Sequence, residues 1–372
     1  MTDTKAKQKI IIVGGGIGGL AAALALTRQG IQVLLLEQAE HIGEIGAGIQ
    51  LGPNAFNALD ALGAGEATRN RAVFTDHLIM MDAVDGNEVV RIETDEKFRE
   101  RFGGPYGVIH RADIHLSILE AVQHDPLIEF KTSTHVADVK LKSDGVEVSD
   151  TNGNVYHADA VVGCDGVKSV IREKTIGRHH RVTGHVVYRA VVDLENMPED
   201  LRVNAPMLWA GPRCHLVHYP LRGGQQYNLV VTFHSRDEEE WGVTDGSKEE
   251  VMSYFEGVHP RPLQMLDRPT SWRRWATADA DPGLDDKEPQ TDGHQNARAD
   301  ERQAHDRVMK SRHDRHRTGQ QRRDRHERRV AAKNHRDQRI GEHQHPQRGQ
   351  NLFQVVAVIQ AADDQPLDNQ TI

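Results

Sequence analysis

"KIIIVGGGIGGLAAALALTRQGIQVLLLEQ", residues 9–38, holds a strand, a glycine-rich turn, a helix and a second strand in immediate succession. Residues 10–13 are uniformly apolar, as a parallel strand buried on both faces requires. Gly14, Gly16 and Gly19 then spell G-x-G-x-x-G. Residues 20–28 carry the alanine and leucine of a helix, and 33–36 form another all-apolar strand. Glu37 closes that strand, eighteen residues after Gly19. Each part has a physical task. Gly14 permits the tight turn, Gly16 lets the backbone approach a pyrophosphate, and Gly19 allows close helix–strand packing. The helix N-terminus offers unpaired N–H groups and a positive dipole end to phosphates. Glu37 is placed to accept hydrogen bonds from an adenosine ribose. The stretch predicts a dinucleotide-binding α/β unit, with FAD and NAD both open on the motif alone.

A second segment, "HADAVVGCDGVKSVIR" (157–172), repeats the strand-to-helix arrangement. Residues 160–163 are a buried strand, and Cys164-Asp165-Gly166 ends it before a helix containing Ser169 and Arg172. An aspartate at the carboxyl end of a parallel strand lies where α/β folds place ligands. It can equally well cap the following helix. The residues by themselves leave both roles open.

From about 175 to 275 the pattern changes to β-branched and aromatic segments such as "GHVVYRAVVDL" and "YNLVVTFHS", separated by polar or glycine turns. Consecutive strands without helices between them predict a mostly antiparallel sheet. Residues 248–258 read as a short helix upon it. In "WAGPRCHLVHYPLRGG" (209–224), alternation turns His215, Val217 and Tyr219 to one face and Leu216 and His218 to the other. His215 and Tyr219 are then about 13–14 Å apart along an ideal strand. They can line opposite ends of one aromatic pocket without touching. Pattern alone leaves His215 open between a catalytic and a structural histidine. Arg189 and His234 read as sheet-surface or structural groups.

A chain of 372 residues is long enough for two domains. Its formal net charge of −9 argues against general nucleic-acid binding. Two cysteines, Cys164 and Cys214, provide no disulfide framework and fit a reducing compartment. "MTDTKAKQK" leads into the first strand without a signal-peptide pattern, and no apolar run reaches the roughly 18 residues of a membrane span. The expectation is a cytoplasmic protein.

The glycine-rich loop, the Asp165-Gly166 segment, "GEIGAGIQLGPNA" (43–55) and "HRADIH" (110–115) together resemble the group A flavoprotein monooxygenases. The resemblance implies FAD as cofactor, held by Gly14, Gly16, Gly19, Glu37, Arg111, Asp165 and Gly166, with 43–55 near the isoalloxazine. No second G-x-G-x-x-G is present, which agrees with a family in which NADH visits as a co-substrate. The chain then divides into three regions: a Rossmann-like FAD-binding domain (1–174), an inserted, mostly antiparallel substrate domain (175–279) and an anomalous tail (280–372). "FGGPYGVIHRADIH" with "GPRCHLVHYPLRGG" is similar to the 3-hydroxybenzoate 6-hydroxylases within that family. That likeness implies a substrate site lined by His215, Tyr219 and Tyr106; a neutral histidine has about the right pKa to take a phenol's proton, which makes His215 the expected base. The implied partners are a small aromatic acid and O2, with no nucleic acid, membrane or metal; a homo-oligomer stays open. The salicylate 1-monooxygenases are the nearest alternative.

The resemblance ends near residue 279. There the family pattern leads to a strand, a G-D-A-A-H-P motif and a long helix. Here residues 285–350 contain only Val308, Met309, Val330 and Ile340 as large aliphatics. Residues 296–349 hold sixteen Lys/Arg and eight Asp/Glu, too interspersed and too poor in aromatics for a nucleic-acid arm. The histidines show no metal-ligand spacing. A shifted reading frame accounts for the abrupt change, and such a tract is expected to be disordered. The literal chain would then be an FAD-poor, inactive product, a rival to the active enzyme.

Overall fold

The computed structural model describes residues 8–42, 47–177 and 180–280. The expectations for the tail, and those for residues 43–46 of the 43–55 segment, lie outside the described residues. All described residues belong to one structural unit.

Strands Lys9–Val13 and Gln32–Leu36 are adjacent and parallel, joined by the helix Ile17–Thr27. Ala160–Gly163 flanks the first strand and Ile128–Lys131 the second, completing a four-stranded parallel sheet. Its apolar runs follow from burial on both faces. Ile12, Val33 and Leu35 pack with Leu20 and Leu24 of the first helix and with Ile118 and Val122 of helix Arg111–Gln123. Ile11, Val13, Leu34 and Leu36 point the other way, toward Val136, Val139 and Val148 of a three-stranded antiparallel sheet. Each such side chain contributes about 1.5–3 kcal/mol by leaving water.

The second large element is an eight-stranded sheet. Its strands run in the order 242–246, 272–280, 180–193, 226–234, 214–221, 207–210, 77–82 and 88–93. It is antiparallel except where Met207–Ala210 pairs in parallel with His77–Asp82. This sheet is not confined to residues 175–279, since His77–Asp82 and Glu88–Glu93 come from the first segment. Helices Lys248–Tyr254 and Pro260–Leu266 cover one face, burying Val251, Phe255, Met265 and Leu266 against Leu216, Val231 and Phe233. The opposite face is turned toward a small sheet of Gly48–Leu51, Val73–Phe74 and Gly107–His110, where Tyr219 and Leu221 meet Val108.

Candidate functional site

The glycine-rich turn is shaped by contacts that only glycine permits. Gly14 has φ +105° and passes so close to the Cys164 carbonyl that any Cβ would collide with it. A Cβ on Gly19 would strike the Gly14 carbonyl, so helix and strand meet backbone to backbone. Gly16 is the N-cap of the helix Ile17–Thr27, with no side-chain cap and no acidic residue in the first turn. By contrast Asp95, Ser169 and Ser247 each cap their helices with a side-chain oxygen. An uncapped helix start on a glycine turn fits a diphosphate, which the N–H groups and helix dipole stabilise. The cradle therefore fits the pyrophosphate of FAD.

Glu37 sits beside this turn. Its Oε2 accepts the Gly15 N–H at 2.5 Å and its Oε1 accepts the Ala39 N–H at 2.8 Å. Each carboxylate oxygen retains lone-pair capacity for a ribose hydroxyl. On the other side, His115 Nε2 lies 2.8 Å from the Gly15 carbonyl oxygen. Arg111 opens the helix that carries His115, and its N–H donates to the Ala47 carbonyl at 3.0 Å. Asp165 uses its carboxylate at the start of helix Val170–Ile176, accepting from the Ser169 hydroxyl and, at 3.1 Å, from the Ile171 N–H. That geometry organises the start of the helix, whose N-cap is Ser169. Gly166 has φ +76°, and Arg172 clamps this turn through the carbonyls of Gly166 and Val167.

The second group of predicted residues lies where the large sheet faces the small one, His215 and Tyr219 on the large sheet and Tyr106 just ahead of strand Gly107–His110. Strand Cys214–Leu221 carries both His215 and Tyr219 there. Tyr219 is 2% exposed, and its ring lies against Gly48, where a Cβ would run into it. Directly opposite Tyr219 in the hairpin register is Asn228, fully buried, whose Oδ1 accepts the Gly48 N–H at 2.7 Å. Two residues along from Gly48, Gln50 accepts the Tyr106 hydroxyl at 2.8 Å. Phe98 stands edge-on to the Tyr106 ring. The structure thus brings Tyr106 and Tyr219 to the same short strand, Gly48–Leu51.

Electrostatics assign protonation states to these groups. Burial raises the Tyr219 phenol well above its ordinary value, opposed by the nearby Arg189 cation. Burial likewise raises Tyr106. Both are therefore hydroxyl donors at neutral pH. His215 moves the other way: burial, reinforced by His185, lowers its pKa and leaves a neutral imidazole able to accept a proton. Asn228, Gln50 and His115 are positioned at the site without having been singled out by sequence pattern. Arg189, read as a sheet-surface or structural group, stands over the Trp275 ring and acts electrostatically on Tyr219. For Asn228 the signal was available in the hairpin register, which only the pairing of 214–221 with 226–234 reveals. Among the described residues no group of three or more His, Cys, Asp or Glu could hold a metal. Among them, too, no helix is long and apolar enough to cross a membrane.

The FAD binding domain family matches residues 7–279 of the chain. The 3-hydroxybenzoate 6-hydroxylase of Klebsiella oxytoca is 68% identical over 275 residues, covering 74% of this chain and 69% of that protein. The enzyme of the same name from Polaromonas naphthalenivorans (strain CJ2) is 60% identical over 282 residues, 76% of this chain and 70% of the relative. Among solved structures, a salicylate hydroxylase substrate complex superposes with a TM-score of 0.63 at 25% identity, covering 76% of this chain and 71% of that one.

Proposed function

The chain belongs to the FAD-binding group A flavoprotein aromatic hydroxylases, and on that premise we propose that it hydroxylates 3-hydroxybenzoate to 2,5-dihydroxybenzoate (gentisate). In the balanced reaction, 3-hydroxybenzoate, NADH, a proton and O2 give gentisate, NAD+ and water. Bound FAD would supply the redox chemistry, acceptance of hydride from NADH and activation of O2 as an electrophile. Gly14, Gly16 and Gly19 would hold its pyrophosphate and Glu37 its ribose. Arg111, Asp165 and Gly166 would complete the cofactor's surroundings, Asp165 acting through the turn it organises.

The observation that carries the reading is one strand face that presents both a neutral imidazole and a buried phenol. His215 takes the phenolic proton of the substrate as the ring is attacked, since a phenolate is the better nucleophile. A partly buried imidazole with a lowered pKa is unprotonated at neutral pH and free to do so. Tyr219, kept protonated by burial, donates a hydrogen bond that orients the acid, while Tyr106, whose proton goes to Gln50, offers its oxygen as an acceptor to the ring hydroxyl. Val108 and Leu221 pack with Tyr219 in one buried apolar cluster, which holds the phenol in place.

The test compares NADH oxidation with 3-hydroxybenzoate and with salicylate, and identifies the product. Gentisate supports the proposal, whereas catechol from salicylate assigns the chain to salicylate 1-monooxygenation. His215→Asn is expected to divert NADH oxidation to hydrogen peroxide, by a factor of roughly 10²–10⁴ in the hydroxylation step. Intact coupling in that variant would remove His215 as the base.

A further inference from the structure

We infer that His115 is a cofactor-positioning residue that aims the Gly16 N–H at the FAD pyrophosphate. The inference rests on FAD binding by the family and is independent of the substrate assignment. His115 is 5% exposed and projects from helix Arg111–Gln123 onto the glycine-rich turn. Its Nε2 lies 2.8 Å from the Gly15 carbonyl oxygen. A carbonyl can only accept, so Nε2 carries the proton and the ring is the donor.

The consequence follows from peptide geometry. The Gly15 carbonyl and the Gly16 N–H belong to one planar trans peptide and point in opposite directions. Holding the carbonyl toward the helix Arg111–Gln123 turns the Gly16 N–H away from that helix. Gly16 is the N-cap of the helix Ile17–Thr27 and has no side-chain cap of its own. The preceding peptide is fixed as well, because the Gly15 N–H donates to Glu37 Oε2 at 2.5 Å. Glu37 and His115 therefore lock both peptides flanking the Gly15 Cα, although glycine is otherwise the residue most free to rotate there. A preorganised loop loses less conformational entropy when an anion binds. Simple packing does not call for histidine at this position. The helix buries Ile114, Ile118, Leu119 and Val122 around it, and another aliphatic side chain would fill such a stripe.

The experiment is FAD titration of the full chain by flavin fluorescence, with His115→Leu and His115→Gln. Leucine fills the space without a donor, and glutamine restores an N–H donor at about the Nε2 position. His115→Leu is expected to raise the FAD Kd roughly tenfold, the effect of about one net buried hydrogen bond. His115→Gln should recover most of that loss. Thermal unfolding of the cofactor-free proteins separates positioning from folding. Positioning predicts that glutamine rescues Kd even where both variants share one midpoint. Equal Kd values for wild type and His115→Leu overturn the inference alone, as does a Kd loss that His115→Gln leaves unrepaired. A wild-type chain that takes up no FAD overturns it together with the cofactor assignment.

Discussion

Lowering the pH from 6 to 4 is expected to remove about 2.5 kcal/mol of folding stability through one side chain, His218. His218 is fully buried on the helix-covered side of the strand that carries His215 and Tyr219. Its Nε2 accepts the Trp209 indole N–H at 3.2 Å, so the native ring is neutral with a bare Nε2. Burial pulls its pKa from an ordinary 6.5 to about 3. Between those values the unfolded chain binds a proton and the folded chain does not. Stability is then complete above the unfolded pKa and drains away as pH falls toward the folded one, at up to about 1.36 kcal/mol per pH unit. His218→Gln keeps an acceptor for Trp209 and has no proton to gain. Urea denaturation of both proteins at pH 6, 5 and 4 makes the other titrating groups cancel in the difference. The wild type should lose about 2.5 kcal/mol more than the variant across that range. Parallel losses would refute the reasoning, because they would mean that His218 is protonated without disrupting the native packing.

Three other outcomes are expected. Gly48→Ala drives a methyl group into the Tyr219 ring and should cost about 1–3 kcal/mol, read by thermal unfolding, while raising peroxide release. Asn228→Leu leaves the buried Gly48 N–H without its acceptor, at about 1–3 kcal/mol, whereas Asn228→Asp retains an acceptor and should be milder in the same assay. Translating the underlying DNA beyond residue 279 in its other two frames should produce a Gly-Asp-Ala-Ala-His segment followed by a helical pattern. A downstream region without that segment removes the frameshift account.

Much of the cofactor region was legible in the linear sequence because its information is local. The uniform apolarity of 10–13 and 33–36, the three glycine positions and the terminal Glu37 are neighbours in sequence and in space. The helix starts at Ile17, ahead of the apolar pattern, so Gly18 and Gly19 lie in its first turn, where Gly19 permits the close approach to Gly14. The face assignment of His215 and Tyr219 was legible too, since strand alternation needs no knowledge of the partner strand.

Contacts spanning the length of the chain needed the tertiary structure. Gly48 and Asn228 are separated by 180 positions, and His115 and Gly15 by 100. No local periodicity encodes either contact. The strand at 77–82 was not singled out in the sequence, and its parallel pairing with 207–210 depends on how distant segments bury their faces together. The contacts of Asp165 likewise came from three dimensions, where its carboxylate engages Ser169 and Ile171. By itself, then, the sequence determined that a dinucleotide cradle and an aromatic, histidine-bearing sheet exist. The tertiary structure decided how they meet, because burial and hydrogen-bond satisfaction are properties of neighbours in space.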